Sequence, residues 1–356
     1  MQSIDRSKPI LVTGATGYVA GWLVKKLLDE GLTVHAAVRD PNNTSKLQVL
    51  QNLADNSQGT IRFFTSDLLE EGSYNEAMQG CELVFHTASP FTVSVPDPQR
   101  DLVDPAVNGT RNVLASVNQT DSVKRVVLTS SVAGIYDAVK DAEDAPEGKF
   151  TEAVWNTRSS LTNNPYSYSK VQAEKAAWAI AQAQQRWDLV AINPGLVLGP
   201  AIGTASTSDS FAVLTQIGDG SMRSGAPAVA MAAVDVREVA QAHFAAAFIP
   251  EAEGRYIING YDSNLFEMAQ ILHSRFGDRY PIPNKKVPKF LLWLIAPIVT
   301  KGQLSRQNVS RNVGIDYHFD NSKSIRELGI EYRPLEQTLA DMFEYMIANN
   351  YFEAVN

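Results

Sequence analysis

An α/β fold built on a doubly wound parallel sheet, with a smaller, discontinuous C-terminal domain, is what this sequence predicts. Three observations carry the prediction: short apolar runs alternate with stretches of helical apolar spacing, the first run ends in a glycine-rich turn that opens a helix, and the alternation stops after Pro194. The first run, Pro9-Ile-Leu-Val-Thr13, stops at Gly14 as a buried strand does. Residues 18–30 follow with Val19, Leu23, Leu27 and Leu28 at helical spacing, and Gly31 is the expected C-cap. Residues 32–38, 61–65, 83–86 and 125–129 read as four further strands. The helix before the last of them carries Val103, Val107, Val113, Leu114 and Val117, with Pro105 near its start. An Ala-rich helix over 164–186 leads to a sixth strand at 189–193. Strands that alternate with helices predict a parallel sheet covered on both faces. Beyond Pro194 the chain is rich in Gly, Ser, Thr and Ala, with a strand expected at 228–236 and a helix at 236–248. From Tyr261 onward it reads as helices and loops, broken at Pro281-Ile-Pro283. The expected division is one domain from 1–194 and 231–259, and a second from 195–230 and 260–356. The second would close over the carboxyl edge of the sheet, where ligands sit in such folds.

Composition narrows the function classes. A chain of 356 residues, 44% hydrophobic and 20% charged, buries a large core and is unlike a disordered chain. Its one cysteine, Cys81, excludes an intramolecular disulfide framework and a Cys-rich metal site, and suits a reducing compartment. His35, His86, His243, His273 and His318 are scattered, so no metal is expected. The net charge of -8 argues against nucleic acid or an anionic membrane as the main partner, with a local basic patch still allowed. The first strand begins within ten residues of Met1, which leaves no room for a signal peptide, so a cytoplasmic protein is expected; a monomer and a homodimer are both open. Phe290-Leu-Leu-Trp-Leu-Ile-Ala-Pro-Ile-Val299 is broken by Pro297 and is shorter than the about 20 residues a membrane span takes. An amphipathic helix packed on the body is the reading, with a surface lipid contact as its alternative. Neither a G-x-S-x-G elbow nor a G-x-x-x-x-G-K-[ST] loop occurs, which removes the hydrolase and P-loop readings.

Thr13-Gly14-Ala15-Thr16-Gly17-Tyr18-Val19-Ala20 lies between the first strand and the first helix. Gly14 suits the tight turn, Gly17 lets backbone approach a pyrophosphate, and Ala20 keeps helix and strand close. The helix N-terminus then offers N–H groups to phosphate oxygens. In the first strand–turn–helix this pattern predicts a Rossmann-type dinucleotide site. At the end of the second strand, Val38 occupies the place of the carboxylate that would accept from a ribose 2′-hydroxyl, and Arg39 follows it, with Lys46 downstream. A guanidinium suits a 2′-phosphate, so NADP(H) is expected, with NAD the alternative through Asp40. Asp67 and Leu68, after the third strand, are placed to reach the adenine, although Asp67 equally suits capping the next turn.

Tyr166 and Lys170 stand four apart at a helix start and share a face. Reducing a carbonyl needs hydride at carbon and a proton at oxygen. An ammonium beside a phenol favours the phenolate form and makes the pair a proton carrier. Ser131, at the carboxyl end of the fifth strand, can hydrogen-bond the carbonyl oxygen. A second Tyr-x-x-x-Lys, Tyr136/Lys140, runs into the acidic, Pro-broken loop Asp141-Ala-Glu-Asp-Ala-Pro146 and is discarded as a catalytic pair.

The sequence resembles an extended short-chain dehydrogenase/reductase, of the NAD-dependent epimerase/dehydratase superfamily. The resemblance rests on Thr13-Gly-Ala-Thr-Gly-Tyr-Val-Ala-Gly-Trp22, Val38-Arg-Asp-Pro41, Val84-Phe-His-Thr-Ala-Ser-Pro90, Asn108-Gly-Thr110, Leu128-Thr-Ser-Ser131, Tyr166-Ser-Tyr-Ser-Lys170, Asn193-Pro-Gly-Leu-Val-Leu-Gly-Pro200 and Val234-Asp-Val-Arg-Glu-Val-Ala240. Within it, the chain is most similar to dihydroflavonol reductases, cinnamoyl-CoA reductases and microbial aldehyde/ketone reductases. The resemblance implies Ser131, Tyr166 and Lys170 as the catalytic triad, its spacing favouring Ser131 over the competitors Thr129 and Ser130, and Arg39 and Lys46 toward the 2′-phosphate. It implies Thr87, Ala88 and Ser89 near the cofactor ribose and pyrophosphate, Pro194, Gly195, Leu196 and Val197 beside the nicotinamide, and Asn108 as support for Lys170. Phe91, Tyr136 and Phe211 are expected to line the substrate pocket. The family's third glycine is Ala20 here. Tyr136 replaces the amide or acid frequent in dihydroflavonol reductases. Asn164-Pro-Tyr-Ser-Tyr-Ser-Lys170 departs from the N-W-Y-C-Y-G-K of cinnamoyl-CoA reductases, which argues against thioester reduction. The implied activity is NADPH-dependent reduction of an aldehyde or ketone to the alcohol. Its alternatives are a nucleotide-sugar epimerase/dehydratase and a non-catalytic NADP-sensing protein.

Overall fold

The computed structural model describes residues 3–89, 95–203, 208–299 and 304–353. Its elements in chain order are β1 (Ile10–Thr13), α1 (Tyr18–Asp29), β2 (Thr33–Val38), α2 (Thr44–Asp55), β3 (Thr60–Thr65), α3 (Asn75–Met78), β4 (Leu83–His86), α4 (Asp104–Gln119), β5 (Arg125–Thr129), α5 (Pro165–Gln182), β6 (Asp188–Pro194) and β7 (Leu196–Leu198). There follow α6 (Asp209–Gly218), β8 (Ala226–Pro227), β9 (Ala230–Asp235), α7 (Val236–Phe248), β10 (Gly254–Ile258), β11 (Tyr261–Asn264), α8 (Leu265–Phe276), β12 (Lys286–Val287), α9 (Lys289–Val299), α10 (Arg306–Asn312), α11 (Ser322–Leu328) and α12 (Leu335–Ala348). A π-helical turn, Gln99–Val103, leads into α4, and 3-10 turns at Val132–Gly134 and Val139–Asp144 follow β5.

The seven-stranded sheet has the order β10-β6-β5-β4-β1-β2-β3, and every neighbouring pair is parallel. Central strands such as β1 and β4 are buried at every residue, as apolar runs without polar alternation require. On one face Leu23, Val24 and Leu27 of α1 pack with Val239, Ala242 and Ala246 of α7. On the other, Val113, Leu114 and Val117 of α4 pack with Ala177 of α5 and Trp187. Strand β10 was not expected from the sequence. Its run Gly254-Arg-Tyr-Ile-Ile258 has too short an apolar stretch to declare a strand, and parallel pairing with β6 makes it one. The sheet reverses its winding at β1, which lies between β2 and β4, so a crevice opens at their carboxyl ends.

A separate apolar core gathers Phe211, Leu214 and Ile217 of α6 with Met268, Leu272 and Phe276 of α8 and Leu339, Met342, Phe343 and Met346 of α12. It sits beside a second sheet, ordered β11-β9-β7. The expectation that the apolar stretch near residue 290 packs along the body holds only in part. Helix α9 buries Leu292 and Ala296, while Phe290, Leu291, Leu294 and Ile298 face solvent.

One buried charge ties the sheet to its covering helix. Arg125, at the start of β5, is 1% exposed. It donates to Asp188 through Nε at 2.7 Å, and through its terminal nitrogens to the carbonyls of Ala246, Ile249 and Pro250 at 2.9, 2.7 and 3.1 Å. Those carbonyls lie at the end of α7, where helical acceptors run out. Arg125→Ala strands them and opens a cavity. The expected loss is about 3 kcal/mol or more, read as a lower urea midpoint with an unchanged slope.

Candidate active site

The crevice is held shut at its base by one threonine. Thr13 is fully buried, and its Oγ1 accepts the backbone N–H groups of Thr87 and Ala88 at 3.1 and 3.0 Å. The Thr87 hydroxyl donates in return to the Thr13 carbonyl. These bonds press the exit of β4 against the glycine turn. Gly14 has φ +61°, and a Cβ there would lie 3.1 Å from the Ala88 backbone and side chain. Both facts require glycine. Gly17 begins α1 with no side-chain cap, so N–H groups of the first turn, which includes Tyr18 and Val19, remain for a ligand, with the half-buried Thr16 just before them. Tyr18 is an anchor to the neighbouring core: its hydroxyl donates to the Gly199 carbonyl at 2.6 Å and its ring stands edge-on to Phe211.

Arg39 and Lys46 are both exposed, at the tip of β2 and in the first turn of α2. Neither pairs with a carboxylate among the described residues, and Asp40 instead accepts the Asn42 N–H at 2.9 Å. Asp67 caps its own turn through the Leu69 N–H at 2.8 Å. Leu68 packs over Gly109, with its carbonyl accepting from Asn112.

Helix α5 carries Tyr166 and Lys170 into the same region. Asn164, left-handed at φ 53°, caps the helix by accepting the Ser167 N–H, and Pro165 opens it. Tyr166 is 48% exposed in the first turn. Lys170 Nζ lies 5.6 Å from the Tyr166 ring centroid and 2.9 Å from Ser89 Oγ, so it bridges α5 and the exit of β4. Ser131 follows β5 in extended backbone, and its Oγ accepts the Ala133 N–H at 3.1 Å, which leaves the hydroxyl hydrogen for a ligand. The 3-10 turn after Ser131 packs on α5. Asn108, expected to support Lys170, is exposed; Ala106 and Thr110 of α4 instead line a cavity of about 30 Å³ beside Lys170. After β6 the chain must be glycine at 195, because a Cβ would meet the Ala232 carbonyl oxygen at 2.7 Å and Asn259 Oδ1 at 2.8 Å. Pro194 ends β6, and Leu196 and Val197 run on in β7.

Two expected pocket residues pack against aromatic rings, Phe211 buried and Tyr136 half-buried. Phe211 is 2% exposed, packed against Tyr18, Tyr345 and Tyr351. Tyr136 packs against Phe150 and Phe319, and burial pushes its phenol up to about 12. Phe91 lies outside the described residues.

Sequence reasoning missed the polar network under the site. Glu174, one turn beyond Lys170, is 1% exposed. It accepts from Ser130 Oγ at 2.5 Å, Asn193 Nδ2 at 3.0 Å, the Trp178 indole at 3.2 Å and Arg255 Nε at 2.7 Å. Asn193 also donates to the Ser131 carbonyl at 3.1 Å. Arg255 lies 4.0 Å over the Trp155 ring and donates to the carbonyls of Glu152 and Val154. The available signal was the Lys170–Glu174 spacing, which puts a carboxylate on the inward face of α5.

A family model described as "NAD dependent epimerase/dehydratase family" matches residues 10–258. The chain belongs to that family. It is 36% identical over 347 residues to cinnamoyl-CoA reductase CAD2 of Medicago truncatula, covering 97% of each chain. Among solved structures it is similar to Gre2 of Candida albicans in complex with NADPH, at 28% identity and TM-score 0.76, covering 96% of this chain and 99% of that one. It is also similar to yeast methylglyoxal/isovaleraldehyde reductase Gre2 complexed with NADPH, at 25% identity and TM-score 0.73, covering 97% and 100%.

Two buried histidines lie under the candidate site. His86 lies 3.2 Å from Thr13 Oγ1, and His243 Nε2 lies 2.6 Å from Thr129 Oγ1, with its Nδ1 2.7 Å from the Val239 carbonyl oxygen. Burial lowers both rings to about 4, so both are neutral at pH 7 in the folded protein. In the unfolded chain they take up protons below the ordinary imidazole value. Acidification from pH 7 toward pH 5 therefore favours unfolding, on the order of 1–2 kcal/mol per ring. The expected result is a urea midpoint that falls over this range, and falls less steeply in His243→Gln.

Proposed function

We propose that this chain is an NADPH-dependent carbonyl reductase that converts an aldehyde or ketone to the alcohol, reversibly. The observation that carries the reading is the Lys170 ammonium, 2.9 Å from Ser89 Oγ and 5.6 Å from the Tyr166 ring centroid, at the carboxyl edge beside the glycine turn. The residues present fit the dinucleotide: the turn excludes a Cβ at Gly14, the first turn of α1 has no side-chain cap, and Arg39 and Lys46 stand without acidic partners where a 2′-phosphate would be met. Thr87, Ala88 and Ser89 would hold the ribose and pyrophosphate side, Asp67 and Leu68 the adenine side, and Pro194, Gly195, Leu196 and Val197 the nicotinamide side. NADPH supplies the hydride when bound.

The protein residues handle the oxygen. The Tyr166 hydroxyl gives its proton to the carbonyl oxygen as the carbon becomes tetrahedral, and negative charge passes to the phenol oxygen. The Lys170 ammonium stabilises that charge and orients ribose hydroxyls. The Ser131 hydroxyl donates to the same carbonyl oxygen, so charge developing there meets two fixed donors. Glu174 and Asn193 are positioning residues, because they set the backbone at Ser130–Ser131 without reaching the substrate. The core of α6, α8 and α12 serves as the substrate-binding cap. A small or medium apolar carbonyl suits this site better than a phosphorylated one, and the names of the Gre2 relatives favour an aldehyde.

With NADPH and a panel of aldehydes and ketones, cofactor absorbance should fall. Tyr166→Phe should lower kcat by about 100-fold or more while NADPH still binds; unchanged turnover would remove the acid/base assignment. Stoichiometric cofactor that survives purification without net oxidation would favour an epimerase or dehydratase. Arg39→Ala should weaken NADPH by about 10-fold and NADH little, as loss of a charge-assisted contact to the 2′-phosphate requires. Equal losses for both cofactors would reject the phosphate contact.

A further inference from the structure

The surface around α9 combines two features that rarely meet on a soluble enzyme. The first is an apolar face turned to solvent. Phe290 is 72% exposed and Ile298 80%, and Leu291, Trp293, Leu294 and Ile295 are each exposed by more than a third. These side chains fall on the outward side of one helix. Leu292 and Ala296 face inward, against Val309 and Val313. The second feature is charge. Residues 279–315 hold seven Lys or Arg and no Asp or Glu, in a chain whose net charge is -8. Lys285, Lys286 and Lys289 precede or open the helix, and Arg306 lies with its guanidinium 4.6 Å from the Trp293 ring centroid. None of these four cations has a carboxylate partner among the described residues, whereas Arg311, on the far side of α10, is paired with Asp141.

We propose that α9 is an interfacial docking helix for an anionic lipid surface. Its apolar face enters the headgroup boundary while Lys285, Lys286, Lys289 and Arg306 meet lipid phosphates and carboxylates. The eleven-residue helix, with Pro297 inside it, is too short to cross a bilayer but suits a helix lying in its plane. Aromatic Trp293 and Phe290 are the side chains expected at the level of the headgroups. Charge complementarity selects lipid over a second copy of the chain. A copy would bring the same acid-free, cationic segment against itself, and like charges would oppose the contact. The helix is held by α10 and by Lys289 donating to the Ser310 carbonyl, so the face is presented without unfolding the cap.

The test is co-sedimentation of the full chain with phosphatidylcholine vesicles, with and without about a third phosphatidylserine. Binding to the anionic vesicles only is expected, falling at least about five-fold between low and high salt as exposed charges are screened. Leu294→Glu with Ile298→Glu should abolish binding. Lys285→Gln and Lys286→Gln together should weaken it about ten-fold or more, with thermal unfolding and NADPH binding unchanged. No binding to anionic vesicles, or equal binding to neutral ones, would overturn the proposal. So would a dimer in analytical ultracentrifugation that Ile298→Glu converts to monomer, because the face would then belong to a second copy.

Discussion

A single buried carboxylate organises the floor of the site. Glu174 takes hydrogen bonds from β5 through Ser130, from β6 through Asn193, from its own helix through Trp178 and from β10 through Arg255. A carboxylate removed from water is costly unless its lone pairs are satisfied and a cation stands beside it. Here four donors, one of them a guanidinium, meet that condition, and three strands and one helix are thereby fixed relative to one another. Lys170 is one helical turn from this anchor, and Ser131 follows Ser130, which donates to it. The geometry on which the proposed proton transfer rests is inherited from the network, not from the two residues alone.

The opposite wall of the crevice depends on close backbone approach. Thr13 holds the exit of β4 with its side-chain oxygen, and this brings Ala88 to 3.1 Å from where a Cβ on Gly14 would stand. The same contact leaves Ser89 within reach of Lys170. Sheet register, glycine turn and lysine are therefore coupled. A displacement at Thr13 moves the group that orients the ammonium.

The second core is richer in aromatic rings than the first. Tyr18 joins the two, because it begins the helix behind the glycine turn yet packs its ring on Phe211 and donates to Gly199. The start of α1 is thus pinned to the cap side as well as to the sheet. The outward face of α9 stands apart from both cores, and its charge is opposite in sign to that of the chain as a whole.

The strand–helix rhythm, the glycine turn and the Tyr166/Lys170 spacing were legible because each is a local pattern: burial on both sheet faces writes apolar runs, tight turns write glycine, and a shared helix face writes a four-residue interval. Arg39 and Lys46 were legible for the same reason, since strand tip and helix start are set by neighbours in the chain. Strand β10, the burial of Phe211, the solvation of Asn108 and the Glu174–Arg255 network were not. Their partners lie many residues away, as with Glu174 and Arg255, 81 residues apart. A side chain's burial is decided by what packs over it, and no periodicity within one segment records that. Sequence alone determined which chemical groups this protein carries to the edge of its sheet. Only tertiary packing decided which of them are held together there, because holding them takes hydrogen bonds and excluded volume contributed by distant strands.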